Sequence, residues 1–208
     1  MNSKKSKVQP VELTTFDFLT EKEVTVKVDP RALIKGMLSA IGEDPNREGL
    51  LETPDRVVRS WKELYGGYKQ SPSKFLKVFD SESYDQMIVL KNCEFWSTCE
   101  HHMLGFYGRA HVGYIPGRHV IGLSKLARLV ETYSRRLQIQ ERLTQQIALT
   151  LMDGLGASGA GCIITAKHSC MCSRGVGKQH SEMTTSSLLG NFMDAEVRAE
   201  FQRLVGEI

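Results

Sequence analysis

The sequence predicts an α+β fold: an antiparallel sheet with helices on one face, preceded by a helical segment. Three observations carry this prediction. Two helix-start signals stand in the first third of the chain, two β-prone runs follow Met87, and two amphipathic helices then lead into two more strand-like runs. Strands, then helices, then strands is not the alternation that builds a parallel βαβ sheet. With 208 residues, 41% of them hydrophobic, the chain can bury one sizeable core and an appended helical segment, so a single compact unit is expected.

Residues 1–28 open with a polar, lysine-rich stretch and read as an arm without a fold of its own. The domain is expected over 29–208, with its N-terminal helices over 29–67. Asp29 before Pro30 is a cap followed by proline at the first helical position, and Leu33, Ile34, Met37, Leu38 and Ile41 recur at helical spacing. Thr53-Pro54 repeats the signal; Val57, Val58, Trp61, Leu64 and Tyr65 make one face, and Gly66-Gly67 stops it. "MIVLKNCEFW" and "FYGRAHVGYIP" are β-prone runs bounded by turn formers. In the next helix Ser124 is the expected cap, with Leu126, Leu129, Val130, Tyr133 and Leu137 as the apolar stripe. Leu143, Ile147, Leu151 and Leu155 mark a second helix, which Gly156 ends. "AGCIITAKHSCMC" and "EMTTSSLLGNF" read as strands and "AEVRAEFQRLV" as a closing helix.

Composition excludes several classes. No run approaches the roughly 18 apolar residues of a membrane span, and the N-terminus lacks the apolar core of a secretion signal, so a cytoplasmic protein without membrane attachment is expected. Five cysteines, Cys93, Cys99, Cys162, Cys170 and Cys172, in such a chain point to free or metal-bound thiols rather than a disulfide framework. A net charge of +3 is too small to indicate a nucleic-acid partner.

The stretch "STCEHHMLGF" raises the question of a metal. Zinc takes thiolates and imidazoles, commonly as a local pair three residues apart joined by distant ligands. Cys99 and His102 have that spacing. They share a side only if the chain leaves the strand near Thr98, and Ser97 with Glu100 forms a capping-box pattern that would start such a turn. "KHSCMCSRG" offers His168, Cys170 and Cys172, which share one face of an extended strand. Cys170 alone would leave the site open for catalysis; Cys170 with Cys172 would close it as a structural site. Spacing does not choose between them. Ser124, Lys125 and Arg128 lie in the first turn of a predicted helix, where the macrodipole disfavours cations, and so invite an anion such as a phosphate; Arg174 in "SRGVGK" could add a donor. Gln140 and Glu141 open the next helix. A glutamate there commonly compensates the dipole, and it can also accept two parallel N–H bonds from guanine.

"STCEHHM", "YIP", "VIGLSKLARLVETYSRRLQIQERLTQQIA" and "HSCMCSRGV", in this order and spacing, closely resemble GTP cyclohydrolase I over about residues 30 to 205, the "ETPDRV" helix start included. The resemblance implies a zinc-dependent hydrolase: water adds at C8 of GTP, the imidazole ring opens, formate leaves, and the ribose rearranges and recloses to give 7,8-dihydroneopterin triphosphate. It implies Cys99, His102 and Cys170 as zinc ligands, hence an open site, and His101 and His168 as catalytic histidines. It places Glu141 with Gln140 at guanine, Ser124, Lys125, Arg128 and Arg174 at the triphosphate, and Arg56 and Arg59 at a neighbouring subunit's triphosphate. The implied architecture is the tunnelling fold (T-fold), in which sheets of several chains join into an oligomeric barrel, usually a homo-oligomeric decamer with active sites between subunits. Two departures stand out: Gly105 where the family pattern has proline, and Cys172 as an extra thiol.

Two other classes use the same residues. A zinc-stabilised nucleic-acid binder predicts steeply salt-dependent binding and unchanged GTP, and a Cys170–Cys172 redox module predicts activity without metal. Neither gives His101, His168 and Glu141 a common purpose.

Overall fold

A computed structural model describes residues 9–17, 22–76 and 78–206. Where one compact unit was expected, the chain forms two, divided between Glu63 and Leu64. The first has an apolar cluster of its own, built on Ile34, Leu38 and Val58.

In the first unit, strands β1 (Val11–Asp17) and β2 (Lys22–Val28) pair antiparallel with Val11 opposite Val28. This corrects the expectation of an arm without fold for these residues; positions 1–8 and 18–21 of the arm lie outside the described residues. The alternation Val11, Leu13 against Val26, Val28 is the period-two pattern of a hairpin with one apolar face. Helix α1 (Pro30–Ala40) starts as expected, with Asp29 accepting from the Arg31 N–H at 2.9 Å. Helix α2 is Thr53–Leu64. Arg31 also pairs with Asp55 at 3.4 Å, joining the starts of the two helices, and its guanidinium holds the Asp29 carboxyl below the usual carboxylate range.

The second unit contains a small sheet of β3 (Val78–Asp80) with β6 (His119–Ile121) and a five-stranded sheet. The latter runs β7 (Leu137–Gln138), β4 (Ile88–Cys99), β5 (Gly105–Ile115), β8 (Gly159–His168), β9 (Met183–Gly190). Four strands are antiparallel; the short β7 runs parallel to β4. Between Leu90 and Cys93 the β4–β5 register shifts by one residue, with Asn92 at φ 55°, a bulge that the asparagine tolerates.

Helices α3 (Leu123–Ser134) and α4 (Gln140–Leu155) cover one sheet face, where Leu129 and Ile147 meet Phe106, Val112 and Ile164. Gly156 ends α4 at φ 64°, as predicted. The cap of α3 is Gly122, so Ser124 lies inside the first turn and caps nothing. The closing helix α6 (Ala195–Val205) corrects the expectation that the helices share one face. Successive strand residues point to opposite sides, and α6 packs on the side of Ile163 rather than of Ile164. Glycines make this approach possible: a Cβ on Gly113 would lie 2.7 Å from Phe201, and one on Gly161 2.5 Å from Phe192.

On the other half of that face Trp96 and Tyr107 are exposed among the described residues, and they stack at 4.9 Å and 3°. The departure at Gly105 has a physical partner in this pair, because a Cβ at Gly105 would lie 2.6 Å from the Trp96 indole. Gly105→Ala is expected to push the indole off Tyr107, costing about 1 kcal/mol of stability. A changed tryptophan emission spectrum together with a lowered denaturation midpoint checks this; an unchanged spectrum refutes it.

Candidate functional site

Phe106 pairs with His168, so the end of β8 lies beside the start of β5 and the turn that precedes it. In that turn the Cys99 N–H donates to Leu104 O and the Met103 N–H to Cys99 O, both at 2.8 Å, with Met103 at φ 54°. Cys99 and His102 thereby come to one side, as the spacing predicted, but not through a capping box. The Ser97 hydroxyl is buried with no hydrogen-bond partner among the described residues. Glu100 instead accepts two bonds from Arg142, at 2.6 and 2.8 Å, and that guanidinium holds its carboxyl below the usual range. The Glu100 N–H also donates to Gln138 O at 3.0 Å, so the turn is tied to the entrance of α4 twice.

Strand β8 stops at His168, and Ser169–Cys172 form a single helical turn, α5. This corrects the expectation of one extended face carrying His168, Cys170 and Cys172. Cys170 joins Cys99 and His102, and one ligand atom from each lies within 4.8 Å of the others. Cys172 turns away, its Sγ donating to Lys178 O at 3.4 Å. All five cysteines are free thiols.

The donor set fits a zinc ion, which binds thiolates and imidazole and takes four ligands. Burial and the adjacent Cys99 push the Cys170 thiol up. Two thiolates side by side repel, and a dication between them removes that penalty. Three protein donors are one fewer than a closed site needs.

His168 is half-buried, its ring stacked on Phe106 at 4.6 Å and 4° and its Nε2 2.8 Å from Gln140 Oε1. Burial lowers its pKa, opposed by the charge of Glu141. His101 is exposed, set edge-on to His102 with ring centroids 6.4 Å apart. Glu141 lies exposed at the start of α4 and lines a cavity of about 550 Å³ with Arg142, Gln145, Thr185 and Ser187. Its neighbour Gln140 faces the other way: the side chain is 1% exposed and bonded into the sheet.

Ser124 and Arg128 are exposed on α3, and Lys125 stands 6.0 Å over the Phe75 ring. Among the described residues no hydrogen bond or ion pair joins these three to Cys99, His102 or Cys170, whereas the charge of Arg174 is felt at Cys170. Arg56 and Arg59 are exposed on α2, with Arg56 paired to Glu52 at 2.6 Å. Two participants went unnoticed in the sequence, Arg142 and Phe106. Glu100 inside "CEHH" read as a capping-box partner of Ser97, which hid its pairing with Arg142; Phe106 looked like any core residue. A cavity of about 910 Å³ lined by Trp96, Tyr107 and Arg109 holds none of the predicted site residues.

The model of the family described as GTP cyclohydrolase I matches residues 31–206. GTP cyclohydrolase 1 of Wolinella succinogenes is 53% identical over 177 residues, covering 84% of this chain and 95% of the relative. That of Chlorobium phaeovibrioides is 54% identical over 172 residues, 81% of this chain and 77% of the relative, and that of Chlorobaculum tepidum 47% over 194 residues, 92% and 86%. The matched span takes in both chain reversals that supply the cysteine and histidine donors, along with α3, α4 and β9, and the chain belongs to the GTP cyclohydrolase I family.

Proposed function

We propose that the protein hydrolyses the guanine imidazole ring of GTP, releasing formate and yielding 7,8-dihydroneopterin triphosphate, the entry into pterin and tetrahydrofolate synthesis, with zinc held by Cys99, His102 and Cys170. The observation that carries this is the three-donor group within 4.8 Å beside His168, in a chain of this family. When bound, zinc supplies a Lewis acid and brings the acidity of water toward neutrality.

The chain's own residues do the rest. Glu141 accepts the ring and exocyclic N–H groups of guanine with its two carboxylate oxygens, a pairing that places the purine edge-on to α4. Gln140, the expected companion of Glu141 at guanine, has its carboxamide nitrogen committed to the sheet. His168 and His101 exchange protons with the opening ring, the task to which an imidazole is best suited near neutral pH. Ser124, Lys125, Arg128 and Arg174 hold the triphosphate; the first two sit where a helix N-terminus also favours an anion. A thiolate ligand set calls for a reducing compartment, which supports a cytoplasmic setting. No helix among the described residues is long and apolar enough to cross a membrane.

The proposal includes a ring of subunits, ten in the family pattern, with triphosphate contacts crossing between them and Arg56 and Arg59 reaching a neighbour. Strand β9 supports it: β9 bonds only to β8 among the described strands, and such an edge needs covering. Light scattering of the native protein is expected to give the mass of a large closed oligomer; a monomer mass refutes the shared site.

Incubation of the zinc-loaded protein with GTP is expected to replace the guanine ultraviolet spectrum by that of a pterin, with one formate released per GTP. Unchanged GTP in the presence of a full complement of zinc refutes the function. Binding to nucleic acid that falls steeply with salt, without any such spectral change, favours the nucleic-acid reading instead.

A further inference from the structure

The hydrogen bonds around Gln140 form a closed set in which every proton can be assigned. Thr144 Oγ1 donates to the Gln140 backbone carbonyl at 2.7 Å. A hydroxyl has one proton to give, so in the 2.6 Å contact between Thr144 and Thr185 the donor is Thr185. With its proton used there, Thr185 Oγ1 can only accept from Gln140 Nε2, which lies 3.1 Å away. The same Nε2 faces the carbonyl oxygens of Ile164 and Met183, each at 2.9 Å, and neither can do anything but accept. An amide oxygen in that position would meet three acceptors, so the orientation of the carboxamide follows from its neighbours.

The other end is then Oε1, 2.8 Å from His168 Nε2. An amide oxygen accepts, so the hydrogen of this bond belongs to the histidine. A neutral imidazole carries one N–H, and its second nitrogen is left with a lone pair. The plane of the ring is set independently by Phe106, stacked on it at 4°.

We propose that Gln140 is a positioning residue that holds His168 as the Nε2–H tautomer and leaves Nδ1 as the atom that exchanges protons with the substrate. This rests on the reading of His168 as a proton-exchanging group, and it gives Gln140 a task other than contact with guanine. Both N–H hydrogens of its carboxamide are engaged inside the sheet, so none is left to donate to a base. The two neighbouring residues at the start of α4 divide the work: Glu141 faces outward to the substrate, Gln140 inward to the histidine.

The kinetic test replaces Gln140 by methionine, which keeps the length and removes the amide. The expected result is a kcat lowered by about ten- to a hundredfold with KM for GTP and zinc content little changed. A raised KM with kcat preserved would assign Gln140 to guanine and overturn the proposal. In the double variant His168→Ala with Gln140→Met, turnover is expected to equal that of His168→Ala alone, since Gln140 acts through the histidine; a further multiplicative loss overturns it. Should Gln140→Met fail to fold, nitrogen-15 spectra of histidine-labelled wild-type protein decide. The His168 signals, assigned by their loss in His168→Ala, are expected to show a protonated Nε2 and a bare Nδ1 in the neutral ring, and the reverse pattern overturns the proposal. Undiminished turnover in His168→Ala would strike the functional reading itself, while the nitrogen spectrum still reports the tautomer on its own.

Discussion

Replacing Cys170 by alanine is expected to strip the protein of its zinc and to lower GTP turnover by about a thousandfold, since a Lewis acid contributes several kcal/mol and each tenfold in rate corresponds to about 1.4 kcal/mol. The reason lies in the count of donors. Three protein atoms gather within 4.8 Å, and removing one leaves a cysteine and an exposed histidine, too few to hold the ion against solvent. Cys172→Ala is the matched control. Its thiol is bonded to Lys178 O and stands outside the donor group, so zinc content and turnover are both expected to stay at the wild-type level. Metal analysis of the two variants beside the wild type checks this. Full zinc and turnover in Cys170→Ala would show the ligand assignment to be wrong, and loss of either in Cys172→Ala would bring the extra thiol into the site.

The His168→Ala variant is expected to separate chemistry from metal binding. His168 is not among the three donors, so zinc stays, while turnover falls by about a hundred- to ten-thousandfold, the range that a positioned proton-transfer group supplies. Folding is expected to survive at a loss of about 1–3 kcal/mol, because the buried Gln140 Oε1 is left without its histidine partner. Zinc content, a denaturation curve and single-turnover kinetics on one preparation decide. Near-normal turnover removes His168 from the mechanism, and loss of zinc with turnover reassigns it to the metal.

Local patterns were legible in the sequence, and their limits have physical causes. The stripes of α3 and α4 could be read because each helix buries one side, although Leu137, expected on the α3 stripe, lies beyond its end in β7, and Gly156 could be read as a stop because a left-handed cap suits glycine. Ser124 misled because a cap is chosen by the direction from which the chain arrives. Here the chain enters from β6 through Gly122, which occupies the cap position without a side-chain bond. Glu100 misled in the same way. Its sequence spacing from Ser97 suggests a local bond, but its carboxylate goes to Arg142, forty-two positions away, in a two-bond charge-assisted pair. The end of β8 at His168 was not visible because "KHSCMC" alternates as well as any strand. Pairing stops there, since β5, its partner, begins at Gly105 with Phe106 opposite His168. The cysteine and histidine spacing thus announced three donors that come together, a group able to hold a metal, while concealing how the backbone assembles it.

That α6 sits across the sheet from α3 and α4 bears on how the polypeptide comes into being. The furrow over Gly113 and Gly161, shaped to receive Phe201 and Phe192, exists once β5 and β8 have paired, yet its occupants are translated later than either strand. Until they emerge from the ribosome, a paired β5 and β8 would show an apolar groove floored by glycine and flanked by Ile163 and Ile115, and chaperones that recognise such surfaces have that interval in which to act.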